Sequence, residues 1–399
     1  MTTHTPEPPF RWRSVAVPAF GPTALASLGT GAIIPVLPLR AGELGASAPV
    51  AALVAALLGV GQLVAVLPAG ALVARIGERR ALLWATAVDV VALAVAGLAQ
   101  SVWLLAVTAM ITGMSTAVLF LARHGFMIDA IPSHLRARGM STLGGAMRIG
   151  VFIGPLLAAA AMSVAGTAAA WAVASVASAA AFALVLTMPE LGDDGRHSDD
   201  GPAPVLRVLR AHRRVLLTLG LVVAVISALR QLRTTVLPLW ADHIGLDPVQ
   251  VALVFAVGGL VEVFLFYPAG WAMDHFGRMW IAVPLVVIIS TALVLLPLVV
   301  SLPALIAVTV AMAVGNGLGA GIVMTLGADV APTLDRAQFL GGWRMCGEIG
   351  HAGGPLLLSA LVGVVSLAAA SVTLGVIGLA MVAFIVRWVG DLDRQRARS

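Results

Sequence analysis

Long apolar runs, interrupted by short polar stretches, set the pattern of the chain. A hydrocarbon core of about 30 Å takes about 20 apolar residues as a helix. About twelve such runs can be laid down, roughly at 15–39, 50–72, 80–99, 103–123, 140–161, 168–188, 215–240, 249–271, 279–299, 303–325, 339–361 and 368–389. The polar stretches between them are marked by arginine. Arg11 and Arg13, the Arg75, Arg79 and Arg80 cluster, Arg136 and Arg138, the run from Arg196 to Arg214, Arg278, Arg336 and the tail arginines 394, 396 and 398 fall on one side of that pattern, with Arg40 opposite. Loops rich in arginine stay in the cytoplasm, so both termini are expected there. The start MTTHTPEPPFRWR has no cleavable pattern, and the first span is expected to act as an uncleaved signal-anchor.

Composition agrees: 60% of residues are hydrophobic and 11% charged, with a mean hydropathy of +1.02, against about 25% charged residues in a soluble domain. This is a membrane protein. All 24 basic residues are arginine, which with the alanine load points to a GC-rich bacterial genome and a bacterial cytoplasmic membrane. The net charge of +5 is spread between apolar runs, which suits orientation in a bilayer and not nucleic acid. A single cysteine, Cys346, excludes an intramolecular disulfide and thiolate metal clusters.

The chain repeats itself at a spacing of 200. Val36-Leu37-Pro38-Leu39 returns as Val236-Leu237-Pro238-Leu239, Pro68-Ala69-Gly70 as Pro268-Ala269-Gly270, Asp129 and Pro132 as Asp329 and Pro332, and Gly150 and Gly154-Pro155 as Gly350 and Gly354-Pro355. An all-α membrane protein of two parallel six-helix repeats follows: a tail over 1–14, bundles over 15–188 and 215–389, a flexible cytoplasmic linker over 189–214 and a tail over 390–399. Two such halves related by an axis along the membrane normal suit alternating access around a site at the midplane.

The loop after the second span, with Gly70, Leu72, Arg75, Gly77, Arg79 and Arg80, is echoed after the eighth by Gly270, Asp274, Gly277 and Arg278. It resembles the G-x-L-a-D-R-x-G-R-R motif of the major facilitator superfamily, and the likeness covers nearly the whole chain. The resemblance implies twelve transmembrane helices and a latch between the cytoplasmic ends of the halves. Ala74 stands where the family has an acid, so the first latch must be weaker or borrow Asp129, and Asp274 is expected to carry the charge network. The fifth span carries Gly150, Gly154 and Pro155, similar to the G-x-x-x-G-P stretch of drug/proton antiporters of that superfamily. The trailing glycines of that pattern are replaced by Leu156-Leu157-Ala158-Ala159, and small-residue packing is the alternative reading.

Charges inside spans are costly and face partners or water. Here they are Asp89, Arg123, Arg148, Arg230, Arg233, Glu262, Arg344 and Glu348. Arg148 and Glu348 are repeat mates, as are Gln62 and Glu262. The implied architecture sets the fifth span beside the eighth and the second beside the eleventh, so Arg148 can meet Glu262 and Glu348 can meet Gln62. Glu348 is the first candidate for carrying a proton, the alternative being a permanent structural pair with Arg344 one turn earlier. Arg230 is a candidate for substrate contact, Arg233 for snorkelling outward, Asp89 for a structural role, and His351 for packing or proton shuttling. The surplus of arginine favours an anionic or zwitterionic small organic substrate.

GNGLGAG at 315–321 sits in an apolar span without a preceding strand, which suits helix packing and not a nucleotide. No P-loop lysine, HExxH or placeable Ser/His/Asp set occurs, so no enzyme activity, cofactor or metal is expected. The leading functional expectation is a monomeric, proton-coupled exporter of a small organic molecule. An importer or uniporter of an organic anion is the alternative, and a non-transporting sensor or membrane enzyme would need parts the chain does not show.

Overall fold

Inside a bilayer no water takes up backbone hydrogen bonds, so an apolar run satisfies its N–H and C=O groups by coiling into a helix. In the computed structural model the described residues are 12–130, 136–188, 205–319, 321–332 and 336–396. Side chains are not described at 12–19, 67, 74, 124–130, 136–141, 205, 206, 266, 274, 336, 337, 395 and 396. The helices are α1 (Trp12–Ile33), α2 (Leu37–Glu43), α3 (Ala48–Ile76), α4 (Glu78–Gly97), α5 (Val102–Ala130), α6 (Arg136–Ala165), α7 (Ala169–Leu186), α8 (Val205–Ala211), α9 (Arg213–His243), α10 (Pro248–Phe276), α11 (Met279–Leu295), α12 (Leu302–Leu318), α13 (Ile322–Val330), α14 (Arg336–Val362) and α15 (Leu367–Arg396).

Among the described residues, eleven segments are long and apolar enough to cross a membrane, α1 with α2 and α12 with α13 each counting as one. The protein is an all-α, multi-pass membrane protein. The expected span at 339–361 lies in α14, which has the length but carries Arg344, Glu348, His351 and six glycines between Gly341 and Gly354. The expected linker over 189–214 is partly helical: its last residues form α8 and the start of α9. There Leu209 lies against Gly342 and the His212 ring meets Phe339 edge-on at 5.4 Å. Residues 189–204 lie outside the described residues.

Packing follows the 200-residue repeat. In the first half α1 lies on α6 and α7, α3 on α5, and α4 on α5 and α7; in the second α9 lies on α14 and α15, α10 on α12, and α11 on α12 and α15. The halves meet along two seams, α3 with α14 and α6 with α10. These are mates of each other, and so are the contacts: a Cβ on Gly59 would lie 3.0 Å from the Cα of Ala352, and one on Gly259 3.2 Å from that of Phe152.

The repeats diverge where proline and glycine differ. Pro35 lacks an N–H and crowds the preceding turn, so α1 ends at Ile33 and α2 starts afresh; Thr235 at the matching place lets α9 run through. The tenth expected span is broken where the fourth is not. Helix α12 stops at Leu318 and Gly321, at φ +85°, opens α13, whereas α5 is continuous past Leu119 and Leu121. The expectation of simple helix packing for GNGLGAG is corrected to this extent: Gly315 and Gly317 do pack, on Ile288 and Leu265, but Gly319 and Gly321 flank a break.

Candidate functional site

The helix 5 signature resolves first, because α6 carries it. A side chain on Gly150 would strike the Ala24 carbonyl and one on Gly154 the Leu28 carbonyl, so the glycines let α6 lie against α1. Gly350 and Gly354 do the same for α14 on α9, against the carbonyls of Ala224 and Ala228. A device used identically in both halves is a packing device, with Pro155 and Pro355 following each.

The motif loops come next. Gly77 and Gly277 close α3 and α10 at φ/ψ of 81°/159° and 97°/170°, a region open to essentially glycine alone, and a side chain at 277 would also meet the Asp393 carboxylate. Arg278 donates from Nε to Asp329 at 2.8 Å and from Nη2 to the other carboxylate oxygen at 3.4 Å. Asp393, near the end of α15, accepts from the backbone N–H groups of Arg278 and Met279 at 3.1 and 2.9 Å, capping α11. Arg79 donates to the Leu186 carbonyl at the end of α7, at 3.0 Å, while Arg75 and Arg80 are exposed. Among the described residues these bonds stay inside one half. A Cβ on Gly70 would have Leu121 of its own half at 3.8 Å, and one on Gly270 would meet open space. The side chains of Ala74, Asp129 and Asp274, on which the expected charge network rested, lie outside the described residues; Asp329 and Asp393 carry the contacts seen.

Between the halves, at the middle of the seam of α6 and α10, three arginines gather around one carboxylate. Glu262 on α10 pairs with Arg233 of α9 at 2.8 Å, and Arg148 of α6 approaches its other oxygen at 4.0 Å. The side chains of these three residues are largely buried, between 11% and 18% exposed. One turn from Arg233, Arg230 donates from Nε to Asn316 at 2.6 Å and from Nη1 toward the Gly319 carbonyl at 3.5 Å, which also accepts from the Ile322 N–H at the break after α12. The expected meeting of Arg148 and Glu262 is present. Arg233, expected to snorkel, instead makes the shortest bond to Glu262, because a buried guanidinium takes the counter-charge within its reach. Its spacing of three from Arg230 places both on one helical face, a signal available in the sequence. Asn316 carried none.

The other seam is different. No hydrogen bond joins Gln62 to Glu348 among the described residues; Glu348 pairs instead with Arg344, one turn away, at 3.6 Å. A partner on the same helix face needs no closure between helices, and a charged donor outcompetes an amide. Arg344 also lies over the Phe120 ring of α5, 4.0 Å from its centroid. His351, one turn on, packs against the backbone of α3 at Gly59. Asp89 is away from both seams: it accepts from Ser178 at 2.8 Å, between α4 and α7. At the end away from the motif loops, Ser359 of α14 donates to the Pro49 carbonyl at 2.8 Å. Glu43 and Thr167 of one half and Asp247 and Gln250 of the other line a groove of about 650 Å³ there. No group of three or more His, Cys, Asp or Glu side chains suited to a metal occurs among the described residues.

Solved structures similar to the chain include a POT family transporter in complex with a thioalcohol conjugated peptide (TM-score 0.78, 11% identity, 95% of this chain and 96% of that one). A POT family transporter in complex with 5-aminolevulinic acid gives a TM-score of 0.76 at 12% identity over 95% and 96%. A mutant of the peptide transporter POT in complex with alafosfalin gives 0.74 at 16% over 93% and 94%. These matches correct the expectation of efflux by a drug/proton antiporter: the structures matched are POT family transporters, and the GP motif that suggested export serves packing in both halves. No curated protein matches the chain. The family model described as Major Facilitator Superfamily matches residues 20–333 and 219–399, more than half of the sequence, and the chain belongs to that superfamily.

Proposed function

We propose that the protein is a proton-coupled importer of a small, peptide-like organic anion or zwitterion. The observation that carries this reading is the central cluster: where the two halves meet, Arg148, Arg230 and Arg233 gather by the carboxylate of Glu262, more cations than anions among the described residues. Such a surplus selects a carboxylate or phosphonate and repels an organic cation. The ligands in the titles of the similar structures, peptide conjugates, 5-aminolevulinic acid and alafosfalin, are of that type.

In this reading α14 is a twelfth span, the bundles are those of 15–188 and 215–389, and both termini are cytoplasmic because the arginine-bearing motif loops are. The end at which Ser359 donates to the Pro49 carbonyl is then the outer one. Arg230, held by Asn316, meets the substrate. Glu348 takes the proton, and protonation releases Arg344.

The test is uptake into proteoliposomes of purified protein with an acidic exterior. Labelled dipeptides with free carboxylates should accumulate above equilibrium and their amidated forms should not, while Glu348→Gln should exchange substrate without accumulating it. Accumulation of organic cations alone, or of nothing under any gradient, defeats the reading.

A further inference from the structure

A second cluster of positive charge lies outside the central one, toward the motif-loop end. Arg123 of α5 and Arg344 of α14 belong to different halves, yet both lie over the ring of Phe120, at 4.8 and 4.0 Å from its centroid. Arg344 has Glu348 at 3.6 Å, a distance too long for a tight charged hydrogen bond. Arg123 pairs with no carboxylate among the described residues, and its Nε and Nη2 atoms are buried without a hydrogen-bond partner. A buried guanidinium with idle donors beside a second cation is costly unless something supplies negative charge. Arg344 retains 28% of its side-chain exposure, so its guanidinium is within reach of a small ligand. The guanidinium is planar and offers a fork of donors suited to a carboxylate or phosphate, and the face of an aromatic ring attracts a guanidinium placed over it.

We infer that Arg123 and Arg344, gathered on Phe120, form a second oxyanion site, and that an anion held there ties the two halves together near the motif loops. Its ligand is a carboxylate or phosphate group, supplied either by a soluble molecule such as the substrate on its way to the cytoplasm or by a lipid headgroup. The site stands on its own geometry and not on the direction of transport.

The test reads binding, so that its failure is separate from failure of the import reading. Full-length protein in detergent is freed of phosphate and carboxylates, and its thermal midpoint is followed against inorganic phosphate, with chloride as the ionic-strength control. The wild type should be stabilised saturably by phosphate. Arg123→Gln should raise the midpoint without anion, because the unpaired charge is gone, and should need at least about tenfold more phosphate for half its effect. Arg344→Gln should weaken the response similarly, and Arg123→Lys, which keeps the charge, should retain part of it. Nanodiscs of phosphatidylcholine with and without phosphatidylglycerol separate the sources: a phosphate response that persists in anionic lipid marks a soluble ligand. Stabilisation by the anionic lipid itself, dependent on Arg123 and replacing that response, marks a headgroup. No Arg123-dependent stabilisation by either source, or an Arg123→Gln protein less stable than wild type with its phosphate response unchanged, overturns the site.

Discussion

The two seams that join the halves are built from matching helices, yet among the described residues only one is crossed by an ion pair. Along α6 and α10, Arg148 of one half faces Glu262 of the other, and Arg233 locks the carboxylate at 2.8 Å. Along α3 and α14 the matching positions are Gln62 and Glu348, and the acid turns to Arg344 on its own helix. Duplication therefore preserved the backbone contacts, Gly59 on Ala352 and Gly259 on Phe152, while the chemistry at each seam diverged. The tight bond, to Arg233, lies within the second half, and the pair that crosses the α6 and α10 seam is the 4.0 Å contact of Arg148 with Glu262. The α3 and α14 seam is crossed by the hydrogen bond from Ser359 to the Pro49 carbonyl and holds its acid on its own helix.

The largest effect expected from breaking that contrast is at Glu262. Glu262→Gln leaves Arg148 and Arg233 without their carboxylate, and removing one partner of a buried pair costs about 3–5 kcal/mol. Unfolding of the purified protein should report that loss, whereas Gln62→Ala at the matching place should stay within about 1 kcal/mol. A double-mutant cycle sharpens the point: coupling of Glu262 to Arg233 should exceed its coupling to Arg148, following 2.8 against 4.0 Å. Equal couplings would mean that the three groups share charge as one unit.

Somewhat smaller effects are expected where the halves agree. Gly154→Leu and Gly354→Leu each drive a side chain into a neighbouring helix carbonyl, and overpacking of this kind typically costs about 1–3 kcal/mol. If both glycines serve packing alone, the two substitutions should lower stability alike. A loss of transport at Gly154 with stability intact would return a functional role to that motif.

What the sequence made legible, and what it hid, divides along the same line. The period of 200 made Arg148 the mate of Glu348 and Gln62 the mate of Glu262, and the architecture implied by the family resemblance put Arg148 opposite Glu262. It could not rank Arg233 above Arg148, since that depends on which rotamer reaches the carboxylate first. Nor could it foresee Glu348 choosing Arg344, where the competition between a near charge and a distant amide is decided by helix spacing. The break after α12 was written in GNGLGAG, but glycines that pack and glycines that open a turn read the same until Gly321 is seen at positive φ.

The motif loops give the next contrast. Arg278 is held by two oxygens of Asp329 and by the Met273 carbonyl, while Arg79 is seen on the Leu186 carbonyl. Arg278→Ala should cost about 1.5–3 kcal/mol, as for hydrogen bonds to charged groups. Arg79→Ala should cost about 0.3–1 kcal/mol, as for a cation at a helix C-terminus. The order of the two thermal midpoints checks the ranking, and a reversal would mean that the first loop has the stronger anchor.

The smallest effect is expected at Asp89, and it bears on whether the first half carries a coupling group of its own. Asp89 is a buried carboxylate between α4 and α7, with Ser178 donating to Oδ2 and Oδ1 buried without a partner. At the matching places the second half has Ile289 and Gly378, with no carboxylate, and Gly378 lies against the Ser290 side chain. Because a neutral amide keeps an oxygen for the Ser178 hydroxyl and removes a charge that forms no ion pair among the described residues, Asp89→Asn should leave stability within about 1 kcal/mol of wild type or slightly above it. Accumulation in proteoliposomes should be unchanged, since Asp89 touches neither seam. If accumulation is lost while the protein folds and exchanges substrate normally, Asp89 moves a proton. Coupling would then be shared between the halves instead of residing in Glu348.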